Sequence, residues 1–153
     1  DSENPGDIMT TVNHELAANL PVESFVTMFC CLVDSKTGEI KYSNAGHPKP
    51  YIIGKDRTVE IGEHDPFLGP IKDMKYTTHK AVLNKDEILF IYTDGLLDII
   101  DDEYHTVNLN RFLGKLIGKE FTGRESFDDL ITDISNEKLI RSDDCTVMII
   151  RKK

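Results

Sequence analysis

The chain has 153 residues, enough to bury one core, and its 39% hydrophobic and 29% charged residues match a soluble globular protein rather than a disordered one. Its 27 acidic residues outnumber 18 basic ones for a net charge of −9; with no dense Lys/Arg cluster to neutralise phosphates, this argues against DNA or RNA as a partner. No apolar run approaches the roughly 18–20 residues that cross a bilayer and no signal peptide opens the chain, so this segment is expected to be cytoplasmic and free of membrane contact.

In chain order, Asn4 is a candidate N-cap and Pro5 suits the first turn of a helix. Ile8, Val12 and Leu16 recur every fourth residue with Met9 beside them, which predicts an amphipathic helix over 5–19, closed by Pro21. Phe25 to Val33 is rich in β-branched and aromatic residues and reads as a strand buried on both faces. The run Asp34-Ser35-Lys36-Thr37-Gly38 is a turn, and Ile40, Tyr42 and Asn44 then alternate with polar residues, predicting a hairpin. Of the three cysteines, Cys30 and Cys31 are adjacent and point to opposite faces of a strand, so reduced thiols are expected rather than a disulfide.

Further strands are predicted at Tyr51–Ile53, Thr58–Ile61, roughly Lys75–Val82 and Ile88–Tyr92. After Asp94-Gly95 the period turns helical, with one stripe at Phe112, Leu113, Leu116 and Ile117 and a second at Phe127, Leu130, Ile131 and Ile134. Val147–Ile150 makes a last apolar strand. The sum is an α+β domain with a mostly antiparallel sheet covered by helices.

Chemistry concentrates at strand ends. Thr93-Asp94-Gly95 follows the apolar run 88–92, where a carboxylate stands on a rigid element and the glycine permits close approach. Taken alone it is an ordinary Asp-Gly turn. Asp143-Asp144-Cys145-Thr146 precedes the last strand, and two consecutive acids repel unless a cation or solvent screens them. Alone it is a solvated loop; together the two places offer oxygen ligands to a hard cation such as Mg²⁺ or Mn²⁺. Asn44-Ala45-Gly46-His47-Pro48 also ends a strand, but His47 by spacing alone is no more than a loop residue, as are His14, His64, His79 and His105.

The ordered set Asn44-Ala45-Gly46-His47-Pro48, Pro66-Phe67-Leu68-Gly69, Tyr92-Thr93-Asp94-Gly95-Leu96 and Asp143-Asp144-Cys145-Thr146 resembles the SpoIIE-like branch of metal-dependent protein phosphatases. These are bacterial relatives of protein phosphatase 2C that act in sporulation and stress sigma-factor regulation. The segment Asn4–Leu20 and the run Phe25–Phe29 resemble it too, so the likeness covers essentially the whole chain. It implies an antiparallel β-sandwich flanked by helices, with two Mn²⁺ or Mg²⁺ ions in the complete domain. Asp94 and Asp143 carry over as metal ligands, with Gly95, Asp144, Asn44 and His47 in supporting places and no catalytic side chain beyond the ligands. The implied reaction is attack of a metal-activated water on a phosphoserine or phosphothreonine of a regulatory protein, of the anti-anti-sigma type.

Two departures limit the match. The family's early strands, its metal-bridging aspartate and a Gly-Asp pair followed by a Gly-His segment have no counterpart, so residues 1–153 are expected to be one such domain lacking its amino-terminal strands and first helix. His47 stands where the wider family commonly has an Asp of an additional metal site, which leaves that third site without its ligand. Self-association through exposed sheet edges is a further expectation. A non-catalytic, phosphatase-like binding module is the alternative function. A phospho-accepting domain built around Asp94 ranks last, because it requires alternating parallel βα units.

Overall fold

The computed structural model describes residues 4–100, 109–118 and 144–152. They form α1 (Pro5–Asn19), β1 (Met28–Val33), β2 (Glu39–Ala45), β3 (Tyr51–Ile53), β4 (Thr58–Glu60), β5 (His79–Val82), β6 (Ile88–Tyr92), α2 (Gly95–Ile100), α3 (Leu109–Leu116) and β7 (Val147–Arg151). The strands make two antiparallel sheets, ordered β1-β2-β5 and β4-β3-β6-β7. The predicted stripe at 127–134 lies outside the described residues. No helix among the described residues is long and apolar enough to cross a membrane.

The chain divides into two compact units. The first takes residues 1–49, 60–85 and 152–153. Asn4 caps α1 as its sequence predicts, accepting the Gly6 N–H at 3.1 Å. The buried face of α1 is Pro5, Gly6, Met9 and Asn13, however, with Val12 and Leu16 only flanking it. A polar residue occupies the centre of this face because every polar atom of its side chain is matched. The Asn13 amide donates to the Ile71 and Lys72 carbonyls and its oxygen accepts from Gly69 N–H and the Tyr76 hydroxyl. Met9, Ala45, Leu68 and Tyr76 form the core, with Val26, Met28 and Cys30 packed against it.

The hairpin is held by Asp34, whose carboxylate accepts the Lys36 and Thr37 N–H groups. Those bonds pull its carboxyl below the ordinary carboxylate range. Strand β1 starts three residues later than predicted, because Val26 pairs with Leu68 in an isolated bridge instead. The strand is half-buried rather than buried on both faces, since its Met28 and Cys30, on one face, are the residues that pack against the core cluster. Likewise β5 begins only at His79, since the preceding Tyr76 and Thr77 N–H groups go to Thr10 and Asp65 side chains.

The second unit takes residues 50–59 and 86–151. On one side of its sheet Ile53, Ile88, Phe90 and Tyr92 pack with Leu96 of α2 and Phe112, Leu113 and Leu116 of α3. The central strand β6 carries the predicted apolar run and is buried along nearly its whole length. Ile117 leaves the predicted stripe and is exposed, because α3 stops at Leu116 and Gly118 turns the chain at a φ of 73°.

Candidate functional site

The pairing of β6 with β7 decides where the acidic motifs lie. Tyr92 faces Val147 at the end of the ladder, so continuation of each strand sets Thr93-Asp94-Gly95 beside Asp144-Cys145-Thr146. Thr93 locks the junction. Its N–H donates to the Thr146 carbonyl at 3.0 Å, its hydroxyl oxygen accepts the Thr146 N–H at 2.9 Å, and its hydroxyl reaches the Asp144 carbonyl at 3.4 Å. The chain then turns into α2, with Leu96 and Leu97 N–H groups bonded to the Thr93 and Asp94 carbonyls.

Gly95 is required by this contact. A Cβ placed there would stand 2.4 Å from the Asp144 carbonyl oxygen, a distance no side chain tolerates. The glycine thus lets the two acidic segments touch through their backbones. The carboxylates of Asp94 and Asp144 belong to exposed residues, while Tyr92, Gly95 and Leu96 around them are buried. Asp143, the other predicted ligand, lies outside the described residues.

Exposed carboxylates and backbone carbonyls are hard oxygen donors, the class that suits Mg²⁺ or Mn²⁺. Among the described residues no three His, Cys, Asp or Glu side chains are grouped to hold a metal. One or two carboxylates still fit an ion that keeps several of its waters, as Mg²⁺ usually does. In type, the carboxylates of Asp94 and Asp144 are groups that could help to hold a hard cation.

The other two motifs meet in the first unit. Asn44 is fully buried. Its amide donates to the His47 carbonyl at 3.0 Å and its oxygen accepts the His47 N–H at 2.9 Å, which folds Gly46-His47 into a tight turn. Gly46 sits at a φ of 67°, and a Cβ there would meet the Phe67 ring at 2.1 Å. The Asp65 N–H bonded to the Asn44 carbonyl at 2.8 Å adds a second link between the two motifs. The His47 ring lies half-buried with Nδ1 3.4 Å from the Thr27 hydroxyl. Asn44 thus shapes a loop, a role that its polar side chain in an alternating strand hinted at only weakly.

Of the other histidines, His14 is exposed on α1, His64 bonds the His47 carbonyl and His79 stacks on Tyr42; His105 lies outside the described residues. The three cysteines are half-buried and none is in a disulfide. Burial, reinforced by Cys30, pushes the Cys31 thiol up to about 11, so it is no nucleophile at neutral pH. A cleft of about 330 Å³ between α1 and residues 72–75 contains none of the motif residues. The features that sequence reasoning missed are the Thr93–Thr146 lock and the Asn13 contacts. The first had a signal, since both threonines stand inside the acidic motifs.

The family model for Stage II sporulation protein E (SpoIIE) matches residues 1–153. Protein IcfG of Synechocystis sp. is 31% identical over 78 residues, which is 48% of this chain and 12% of that protein. The fold matches the PP2C phosphatase domain with a fragment of the regulatory domain of the cell fate determinant SpoIIE from Bacillus subtilis, at a TM-score of 0.76 and 18% identity over 97% of this chain and 44% of that one. It also matches the SiaA-PP2C domain of Pseudomonas aeruginosa, at a TM-score of 0.74 and 18% identity over 98% of this chain and 61% of that one. The chain therefore spans only part of the proteins it matches. Its two antiparallel sheets and helices have the α+β architecture of the PP2C fold, and the chain belongs to the Stage II sporulation protein E family.

Proposed function

We propose that the chain is the carboxyl-terminal part of a cytoplasmic, metal-dependent protein serine/threonine phosphatase domain. What supports this reading most is the Thr93 lock, which joins the Asp94 turn to the Asp144 segment in a family of phosphatase domains. Asp94 and Asp143 would hold Mn²⁺ or Mg²⁺, with Asp144 supporting them from the adjoining position. When bound, the metal supplies a lowered water pKa and neutralises charge on the phosphoryl oxygens.

The chain's own residues do the positioning. Thr93 and Gly95 fix the backbone on which the carboxylates stand, so the acids need little reordering when an ion arrives. Exposure of Asp94 and Asp144 leaves room for water and for a phosphoserine on the surface of another protein. A regulatory protein of the anti-anti-sigma type is the substrate proposed, through the family likeness.

A non-catalytic, phosphatase-like binding module is the second reading. Turnover separates the two. Hydrolysis of a phosphoserine peptide that needs Mn²⁺ and disappears in Asp94→Asn supports the phosphatase. Metal binding without turnover, in a version of the chain extended at its amino-terminal end, supports the module.

A further inference from the structure

Beyond Tyr92 and Val147 the ladder between β6 and β7 has one more rung, and that rung is irregular. In an antiparallel pair, two residues of a hydrogen-bonded rung exchange both main-chain bonds, each N–H going to the carbonyl opposite. Thr93 gives its N–H to the Thr146 carbonyl at 3.0 Å in that way. The return bond goes elsewhere. The Thr146 N–H reaches the Thr93 hydroxyl oxygen at 2.9 Å instead of the Thr93 carbonyl. That carbonyl accepts the Leu96 N–H at 3.0 Å and so opens the first turn of α2.

A side chain has thus taken a place in the ladder, and the main chain is released for the helix. Without the hydroxyl, the Thr146 and Leu96 N–H groups would compete for one carbonyl. The first would draw residue 93 along the sheet and the second into the helix.

The handover from strand to helix falls at Asp94. Its Oδ1 accepts the Gly95 N–H at 3.1 Å and its carbonyl accepts the Leu97 N–H at 2.7 Å. The direction of the carboxylate therefore follows from a backbone set one residue earlier. On the other strand the Asp144 carbonyl lies 3.4 Å from the Thr93 hydroxyl, a weak contact, and directly against Gly95. One hydroxyl joins both acidic segments.

We infer that Thr93 is a positioning residue of the acidic site. Its hydroxyl, by standing in for a main-chain acceptor, sets the direction in which Asp94 and Asp144 meet a divalent cation. Serine at this position would serve, whereas valine keeps the shape and loses the bonds. The inference rests on the metal-dependent phosphatase reading and adds to it a residue that acts through its neighbours. Such coupling is reciprocal, so whatever the bond adds to cation affinity, the cation adds to the bond.

The test is calorimetric titration with Mn²⁺ of the unaltered chain, Thr93→Val, Thr93→Ser and Asp94→Asn, with thermal melts alongside. Thr93→Val should bind about tenfold more weakly, as residues that orient metal ligands do, and Thr93→Ser within about twofold of the unaltered chain. A second readout needs no variant. Saturating Mg²⁺ should slow exchange of the Thr146 amide, followed by NMR, by about the same factor of ten. Thr93→Val that binds Mn²⁺ as tightly as the unaltered chain, whatever its melting temperature, would overturn the inference. So would Thr93→Ser binding as weakly as Thr93→Val, or a Thr146 amide whose exchange ignores Mg²⁺. In each of these cases, weakened binding by Asp94→Asn would leave the metal-dependent reading standing. No binding by the unaltered chain would overturn both.

Discussion

Gly95 and Gly114 are the same residue under opposite demands. A methyl group at Gly95 would meet the Asp144 carbonyl oxygen, which is backbone and cannot swing aside, whereas one at Gly114 would meet nothing within 4 Å. Gly95→Ala should therefore destabilise the chain by about 1–3 kcal/mol. Gly114→Ala, on the exposed side of α3, should stabilise it by about 0.5–1 kcal/mol through helix propensity. Thermal melts of both variants check the pair, and equal changes would contradict the backbone contact at Gly95. Asp94-Gly95 was visible in the sequence as a strand end with close approach, but the partner in that approach was not. Asn13 was invisible for a different reason. Its amide is satisfied by two carbonyls, one N–H and the Tyr76 hydroxyl, 56 to 63 residues away along the chain, and hydrophobic periodicity carries no trace of such bonds.

Elements were most legible where a local pattern and burial agree. Helix α1 and strands β3 and β6 lie where the residue pattern puts them, because cap, period and apolar content point the same way. Boundaries moved where tertiary hydrogen bonds compete with the ladder, as at Val26 and at Tyr76 to Thr78. One link between elements was unreadable in advance. Arg57, in the β3–β4 turn, forms a two-pronged pair with Glu87 just before β6, at 2.5 and 2.7 Å. Glu87 is largely buried but Arg57 is 44% exposed, so solvent screens the pair. Arg57→Ala should cost about 1–2 kcal/mol, less than for a wholly buried pair, because it leaves the Glu87 carboxylate without this partner. Urea denaturation measures this, and an unchanged midpoint would mean that water replaces the guanidinium at no cost.

At the scale of the molecule, the motifs meet in pairs, one pair within each compact unit. The family likeness spans the chain, while composition reached no further than a globular protein and hydrophobic periodicity no further than an α+β domain. Among the described residues strand β1 is an edge of its sheet, its sequence Met28-Phe29-Cys30-Cys31-Leu32-Val33 has no charge or proline, and Leu32 is 40% exposed. Such an edge offers unpaired backbone groups to another strand. The 153-residue chain should therefore show a light-scattering mass that rises with concentration above 17.3 kDa. A monodisperse monomer at high concentration would contradict that expectation.

We propose that Asp94 and Asp143 together hold one divalent cation. Calorimetric titration with Mn²⁺ of the unaltered chain and of Asp94→Asn and Asp143→Asn tests it most directly. The unaltered chain should bind, and binding should fall by about 10–100-fold or more in each variant, since even residues that only orient metal ligands cost that much. Binding that is equally tight in all three, or no binding by the unaltered chain, would contradict it.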